Sequence, residues 1–161
     1  MQLSFLFENE SPEVGKVILS GDINEDSEMA LGQLKEQLPA KSCTFNFKSV
    51  SSINSCGVRA WINFLREAES GRSVTFEECT PEVVSQINMI PNFKGQAKIH
   101  SVYAGYFCDS CENHSLQLFQ DGTNLPKDMN IDLPDVPCSN CGEVMEMEEL
   151  EEEFFGWLEN A

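Results

Sequence analysis

Two CxxC pairs, Cys108-x-x-Cys111 and Cys138-x-x-Cys141, constrain this chain more than any other feature. Each pair suits a tight turn that presents two thiolates to one centre, and 26 residues lie between the pairs. The spacing describes a tetrahedral four-cysteine zinc site of ribbon type, structural in role, with one zinc per chain. Metal binding supplies the folding free energy that so short a segment cannot obtain by burying apolar surface. The competing reading is a thiol-disulfide couple. That chemistry needs one CxxC at a helix start in a thioredoxin-like fold, whereas these pairs flank a segment with Pro126, Pro134 and Pro137. His114, near Cys111, reads as a surface residue because four cysteines already complete a closed site. Cys43 and Cys79 lie in or beside expected strands and read as buried packing residues.

Charge excludes one function often associated with zinc ribbons. Residues 1–99 hold 9 Lys/Arg against 13 Asp/Glu, and residues 100–161 hold 1 against 14, within a net charge of −17. Nucleic-acid binding requires a basic footprint on the phosphates, and the ribbon offers only Lys127. Direct DNA or RNA binding is therefore not expected. The chain has no apolar run of membrane-spanning length, so no membrane insertion is expected. The opening Met1-Gln-Leu-Ser-Phe-Leu-Phe-Glu8 lacks a secretion signal. With its cysteines assigned to metal, the chain reads as cytoplasmic.

The first hundred residues alternate strand and helix patterns. Leu3, Phe5 and Phe7 alternate with polar residues as in a half-buried strand. Val17-Ile18-Leu19 is a second strand closed by Gly21-Asp22. Ser27 or Asp26 opens a helix through about Leu38, with Met29, Leu31, Leu34 and Leu38 apolar and Pro39 as its stop. Thr44 to Phe47 is the third strand, with Val50 and Ile53 continuing into a turn. A helix from Asn54-Ser55 to about Glu69 places Val58, Trp61, Ile62, Leu65 and Ala68 on one face. Ser73 to Phe76 is a strand, Thr80-Pro81 caps a third helix to about Ile90, and Lys98 to Val102 is a last strand. This order predicts an α/β domain over 1–102, a mixed sheet with helices on one side. Residues 103–161 then form the zinc ribbon. Its acidic C-terminal helix, over Glu146 to Asn160, shows Leu150, Phe154, Trp157 and Leu158 on a shared face. Most of these should pack within the chain, leaving one or two exposed.

Residues 1–102 resemble the STAS family of anti-sigma-factor antagonists and their relatives. The resemblance is carried by Leu19-Ser20-Gly21-Asp22-Ile23, by the Phe45-Asn46-Phe47 strand, by the turn Asn54-Ser55-Cys56-Gly57, and by Thr80-Pro81-Glu82-Val83-Val84. It implies a non-enzymatic signalling adaptor of partner-switching type, acting in transcription regulation. Its protein partners would be an anti-sigma-type serine kinase and a cognate phosphatase. It also implies phosphorylation at Ser55, although Asn54 stands where the family has aspartate. Cys56 replaces what is commonly Ser or Thr and reads as a small helix-start residue. Read from the residues alone, Ser55 simply caps the helix. The resemblance further implies a partner-binding surface from Asp22, Asn24, Asn54, Arg59, Asn63 and Phe64. Phe64 is either its anchor or a residue filling a groove against a neighbouring helix. STAS domains also serve as constitutive scaffolds or accessory subunits of larger assemblies such as transporter complexes, which is the second reading of function.

Overall fold

The computed structural model describes residues 1–160, the side chain of Asn160 excepted. Strands β1 (Ser4–Asn9), β2 (Val14–Ile23), β3 (Ser42–Ile53), β4 (Ser73–Glu77) and β5 (Lys98–Ile99) form one sheet in that spatial order. β1 runs antiparallel to β2, and the remaining neighbours are parallel. Parallel neighbours need crossovers, which helices α1 (Ser27–Lys35), α2 (Ser55–Ala68), α3 (Pro81–Met89) and α4 (Pro91–Lys94) supply. The expected mixed α/β sheet is thus present.

Alternation along the strands places the helices on one face. Val17, Leu19, Cys43, Phe45, Val74 and Phe76 are buried beneath them. The opposite face carries Lys16, Asn46 and Glu77, where Lys16 pairs with Glu77 at 2.9 Å and the Asn46 amide donates to Glu77 at 2.7 Å. Between sheet and helices sits an aromatic cluster. Phe45 meets Trp61, Phe64 and Phe76 edge-on at centroid distances of 5.4, 5.7 and 6.4 Å. Phe47 and Phe93 close it against Trp61. Such pairs add about 0.5–1.5 kcal/mol beyond area burial. The Trp61 indole N–H, fully buried, donates to the Phe93 carbonyl at 2.9 Å, tying α2 to α4.

β3 extends six residues beyond the expected strand, taking in Val50 and Ile53. Two register shifts against β2, between Ile18 and Ser20 and between Gly21 and Asp22, break its alternation. Bulges of this kind hide a strand behind an irregular apolar spacing. α1 is shorter than expected, ending at Lys35, with Met29 exposed and no side-chain cap from Asp26.

The last expected strand divides between two sheets. β5 ends at Ile99, and β6 (Ser101–Phe107) begins after His100 as the centre of a second, antiparallel sheet ordered β7-β6-β8. Here β7 is His114–Gln120 and β8 is Glu146–Met147. Backbone bonds from Cys79 N–H to Ser101 O and from Tyr103 N–H to Cys79 O hold β6 beside the end of β4. The predicted C-terminal helix is corrected: its first residues form β8, and helix starts only at α5 (Glu151–Phe154), followed by a 3-10 turn at Gly156–Asn160. β8 gains two backbone pairings with β6, which outweigh the weak helical preference of so short a stretch. Leu150 lies exposed, while Phe154, Phe155 and Trp157 are buried. Phe155 stands edge-on to Phe119 of β7 at 5.6 Å. Among the described residues, no helix is long and apolar enough to cross a membrane.

Phe45→Ala should lower stability by about 3–5 kcal/mol, as loss of a fully buried aromatic does. Urea unfolding followed by tryptophan fluorescence would measure this, with the midpoint falling and the slope retained.

Candidate functional site

The two CxxC turns are built alike. In each, the first cysteine's N–H donates to the carbonyl five residues on, Cys108 to Asn113 at 2.9 Å and Cys138 to Glu143 at 2.7 Å. In each, its carbonyl accepts from the N–H four residues on, from Glu112 and from Gly142, both at 2.8 Å. Those two residues have left-handed φ angles of 62° and 83°. Gly142 adopts this without a steric penalty, whereas Glu112 does so as a bulkier residue.

All four sulfurs lie within 4.8 Å of one another, with Cys108 and Cys141 at 3.5 Å and Cys111 and Cys138 at 3.6 Å. These separations exclude disulfides, whose sulfurs stand about 2.05 Å apart. A tetrahedral metal with bonds of about 2.3 Å spaces its sulfurs by about 3.8 Å, so the donor set fits a metal ion. Donors also converge on the sulfurs. The Asn140 N–H lies 3.4 Å from Cys138 Sγ and the Asn113 amide 3.7 Å from it. Backbone N–H groups, that of Cys141 foremost, hold the Cys138 thiol down to about 6. By contrast, burial pushes the Cys43 thiol up to about 12 and raises that of Cys79 further. His114 stands outside the cluster, its ring bonded to Glu148 at 2.6 Å.

The second candidate region is the start of α2. Asn54 is the N-cap in extended backbone, and its Oδ1 accepts from the Gly57 N–H at 2.8 Å. Its Nδ2 donates to Glu25 at 2.7 Å, a bond that holds the Glu25 carboxyl below its ordinary value. Ser55 and Cys56 come next, both exposed. Gly57 is required here by space. A Cβ at this position would lie 2.0 Å from the Ile23 carbonyl oxygen and 2.6 Å from Asn24 N. The absent side chain lets the helix rest directly on the loop after β2, and Asn54 N–H completes the contact by donating to Ile23 O at 3.1 Å.

The structure gathers the candidate surface residues unevenly. Asp22 accepts from Ser52 Oγ at 2.8 Å, and Asn24 is spent on its own turn, accepting from the Asp26 N–H at 2.9 Å. Arg59 and Asn63 are exposed on α2. Phe64 is corrected as an anchor: it is only 5 % exposed and stacks in the aromatic cluster beside Phe45 and Trp61. It forms the floor of a groove between α1 and α2, which the Lys35–Glu67 pair spans at 2.6 Å. Sequence reasoning passes over Glu25, whose contact with Asn54 joins positions 29 residues apart. It takes Gly57 only as part of a motif, although a glycine inside the first turn of a helix signals a close approach.

No family model matches the chain, and no curated protein matches it. Ten solved chains are similar, the following three among them. The anti-sigma factor antagonist SpoIIAA in its unphosphorylated form has 17% identity and a TM-score of 0.45, over 60% of this chain and 87% of that one. An anti-sigma factor antagonist from Mycobacterium paratuberculosis has 19% identity and a TM-score of 0.45, over 60% and 86%. The Bacillus cell fate determinant SpoIIAA in the phosphorylated form has 19% identity and a TM-score of 0.41, over 60% and 90%. The fold is defined by the strand order and register described above.

Gly57→Ala should cost about 1–3 kcal/mol through overpacking against the Ile23 carbonyl. Gly32→Ala in α1, where an added Cβ meets nothing within 4 Å, should instead gain about 0.5–1 kcal/mol. Parallel thermal melts of the two variants would show opposite shifts.

Proposed function

We propose that this protein is a regulatory adaptor that binds an anti-sigma-type serine kinase and is switched by phosphorylation of Ser55. Residues 1–102 form the adaptor unit and 103–161 a zinc-bearing module that offers a second binding surface or fixes the chain in a larger assembly. The observation that carries this reading is the exposed Ser55 hydroxyl at the first position of a 14-residue helix that Gly57 seats on Ile23. The motif resemblance of Asn54-Ser55-x-Gly57 to the STAS switch turn supplies the partner class.

The chemistry of the position supports the switch. In the transfer, Ser55 Oγ bonds to the γ-phosphorus of ATP, its proton passes to a base of the kinase, and ADP leaves. The product carries about −1.5 to −2 charges. Helix N-terminal N–H groups and the helix dipole stabilise that charge, and Arg59 lies one turn further on for pairing. On the opposite side, Glu25 bonded to Asn54 repels it. The same surface thus changes from a neutral helix start to an anionic one without refolding, enough to expel an apolar or acidic partner surface. A cognate phosphatase resets it, and partners of this class act in the cytoplasm.

The ion that suits the four thiolates is zinc, held by Cys108, Cys111, Cys138 and Cys141 as a closed structural site. The purified protein should contain one zinc per chain, and Cys111→Ser should lose it. A strong chelator should strip amide protection from β6 and β7 in hydrogen exchange. Retention of full protection without metal would refute a structural role.

The switch is tested by affinity capture from native cytoplasm with wild type, Ser55→Ala and Ser55→Asp. Wild type and Ser55→Ala should retain an ATP-binding serine kinase, and Ser55→Asp should bind it at least about tenfold more weakly, a difference of about 1.4 kcal/mol. Incubating the recovered kinase with ATP should phosphorylate wild type alone. An identical set of partners for all three proteins would point to a constitutive scaffold instead.

A further inference from the structure

A cleft of about 500 Å³ opens where residues 94–99, 121–127 and 157–158 converge. Part of its lining is apolar, with Ala97 and Ile99 buried and Leu125, Pro126 and Leu158 half-buried. Around it stand Lys94, Lys98 and Lys127. Three of the 10 Lys/Arg in a chain of net charge −17 therefore line one cleft. Lys127 is the sole cation of residues 100–161, and the fold brings it to the other two.

Only one of these three charges has a carboxylate partner among the described residues. Asp121 is the one acidic residue of the lining and pairs with Lys98 at 3.0 Å. Among the described residues, neither Lys94 nor Lys127 has a carboxylate oxygen within 4.0 Å. Partial burial lowers the Lys94 ammonium below its ordinary value, against the pull of Glu69. Glu152, Glu153 and Glu159 line a neighbouring hollow that shares Lys94, Gly95 and Trp157 with this one, so they bound the positive region on one side. A second observation concerns Trp157. It lines the cleft, is 6 % exposed, and its indole Nε1 has no hydrogen-bond partner in the protein. A buried indole N–H ordinarily finds an acceptor.

We propose that this cleft binds a small organic anion, its charged oxygens among Lys94, Lys98 and Lys127 and its apolar body on Leu125, Pro126 and Leu158. The volume falls within the range of about 300–1,000 Å³ usual for small-ligand sites, and apolar walls with a few convergent polar groups are their usual make-up. An anion in the cleft meets three ammoniums against one carboxylate, which singly placed lysines elsewhere on the chain do not offer. The ligand class is an amphipathic anion, because a bare inorganic anion would leave Leu125, Pro126 and Leu158 uncovered.

The test uses the full chain and anilinonaphthalene sulfonate as the probe, followed by the two indole N–H signals in NMR. The Trp61 indole is bonded to Phe93 O and serves as an internal reference. Titration should move the Trp157 signal saturably and leave the Trp61 signal in place. The double variant Lys98→Gln, Lys127→Gln should bind at least tenfold more weakly, with an unchanged melting curve as its folding control. Lys35→Gln, Lys41→Gln should stay within twofold of wild type. Uncharged N-phenylnaphthylamine should bind at least tenfold more weakly than the sulfonate. A still Trp157 signal, a cleft variant that binds like wild type, or equal binding of the uncharged probe would each overturn the proposal.

Discussion

The contact between the first turn of α2 and the Ile23 carbonyl sets the position of both the Asn54–Gly57 turn and the aromatic core. A helix can lie on a backbone carbonyl only where it lacks a side chain, and Gly57 provides that point. With the turn fixed there, Asn54 reaches both Gly57 and Glu25, and Ser55 is held at the surface. One turn further, the same placement lowers Trp61 between Phe45, Phe47 and Phe93. The Trp61 indole then grips the Phe93 carbonyl and so locates α4, at the end of which stands Lys94. A single missing methyl group thus governs a surface hydroxyl at one end of the helix and a cleft-lining ammonium reached through the other.

The second sheet obeys a different logic. It has one long pairing, β6 with β7, and a two-residue partner in β8. Its apolar contribution comes mainly from Phe119 and the C-terminal Phe154, Phe155 and Trp157, packed onto the same continuous core as the first sheet. The cysteine turns lie at the far end of β6 from that packing. Four convergent thiols there bring chain positions 108–111 and 138–141 together, at the two ends of a segment in which regular structure is absent between Gln120 and Glu146.

What was legible in the sequence was legible for local reasons. The cysteine turns announce themselves because both cysteines of each pair sit three residues apart and the geometry is carried by the backbone. The same holds for Thr80-Pro81, where the threonine hydroxyl does cap α3, and for the apolar face of α2. Legibility failed where tertiary contacts outvoted local pattern. Phe64 sat at the margin of the helical apolar stripe, and only the approach of α1 and Phe45 decides that it is inside. The bulges in β3 exist only relative to β2, so a single strand's periodicity could not disclose them. The lysine cleft was wholly invisible, since its three segments lie far apart along the chain and no one of them is unusual alone.

The passage from β5 to β6 has a further implication. Only His100 separates the two strands, and β6 is already bonded to Cys79 on both sides at its first residues. The chain therefore changes sheets without a flexible tether. Tension applied at the cysteine turns would run along one extended backbone into the β5 edge of the first sheet. Whatever grips the C-terminal module pulls on the seam beside Cys79, and the two halves answer a load as a single lever.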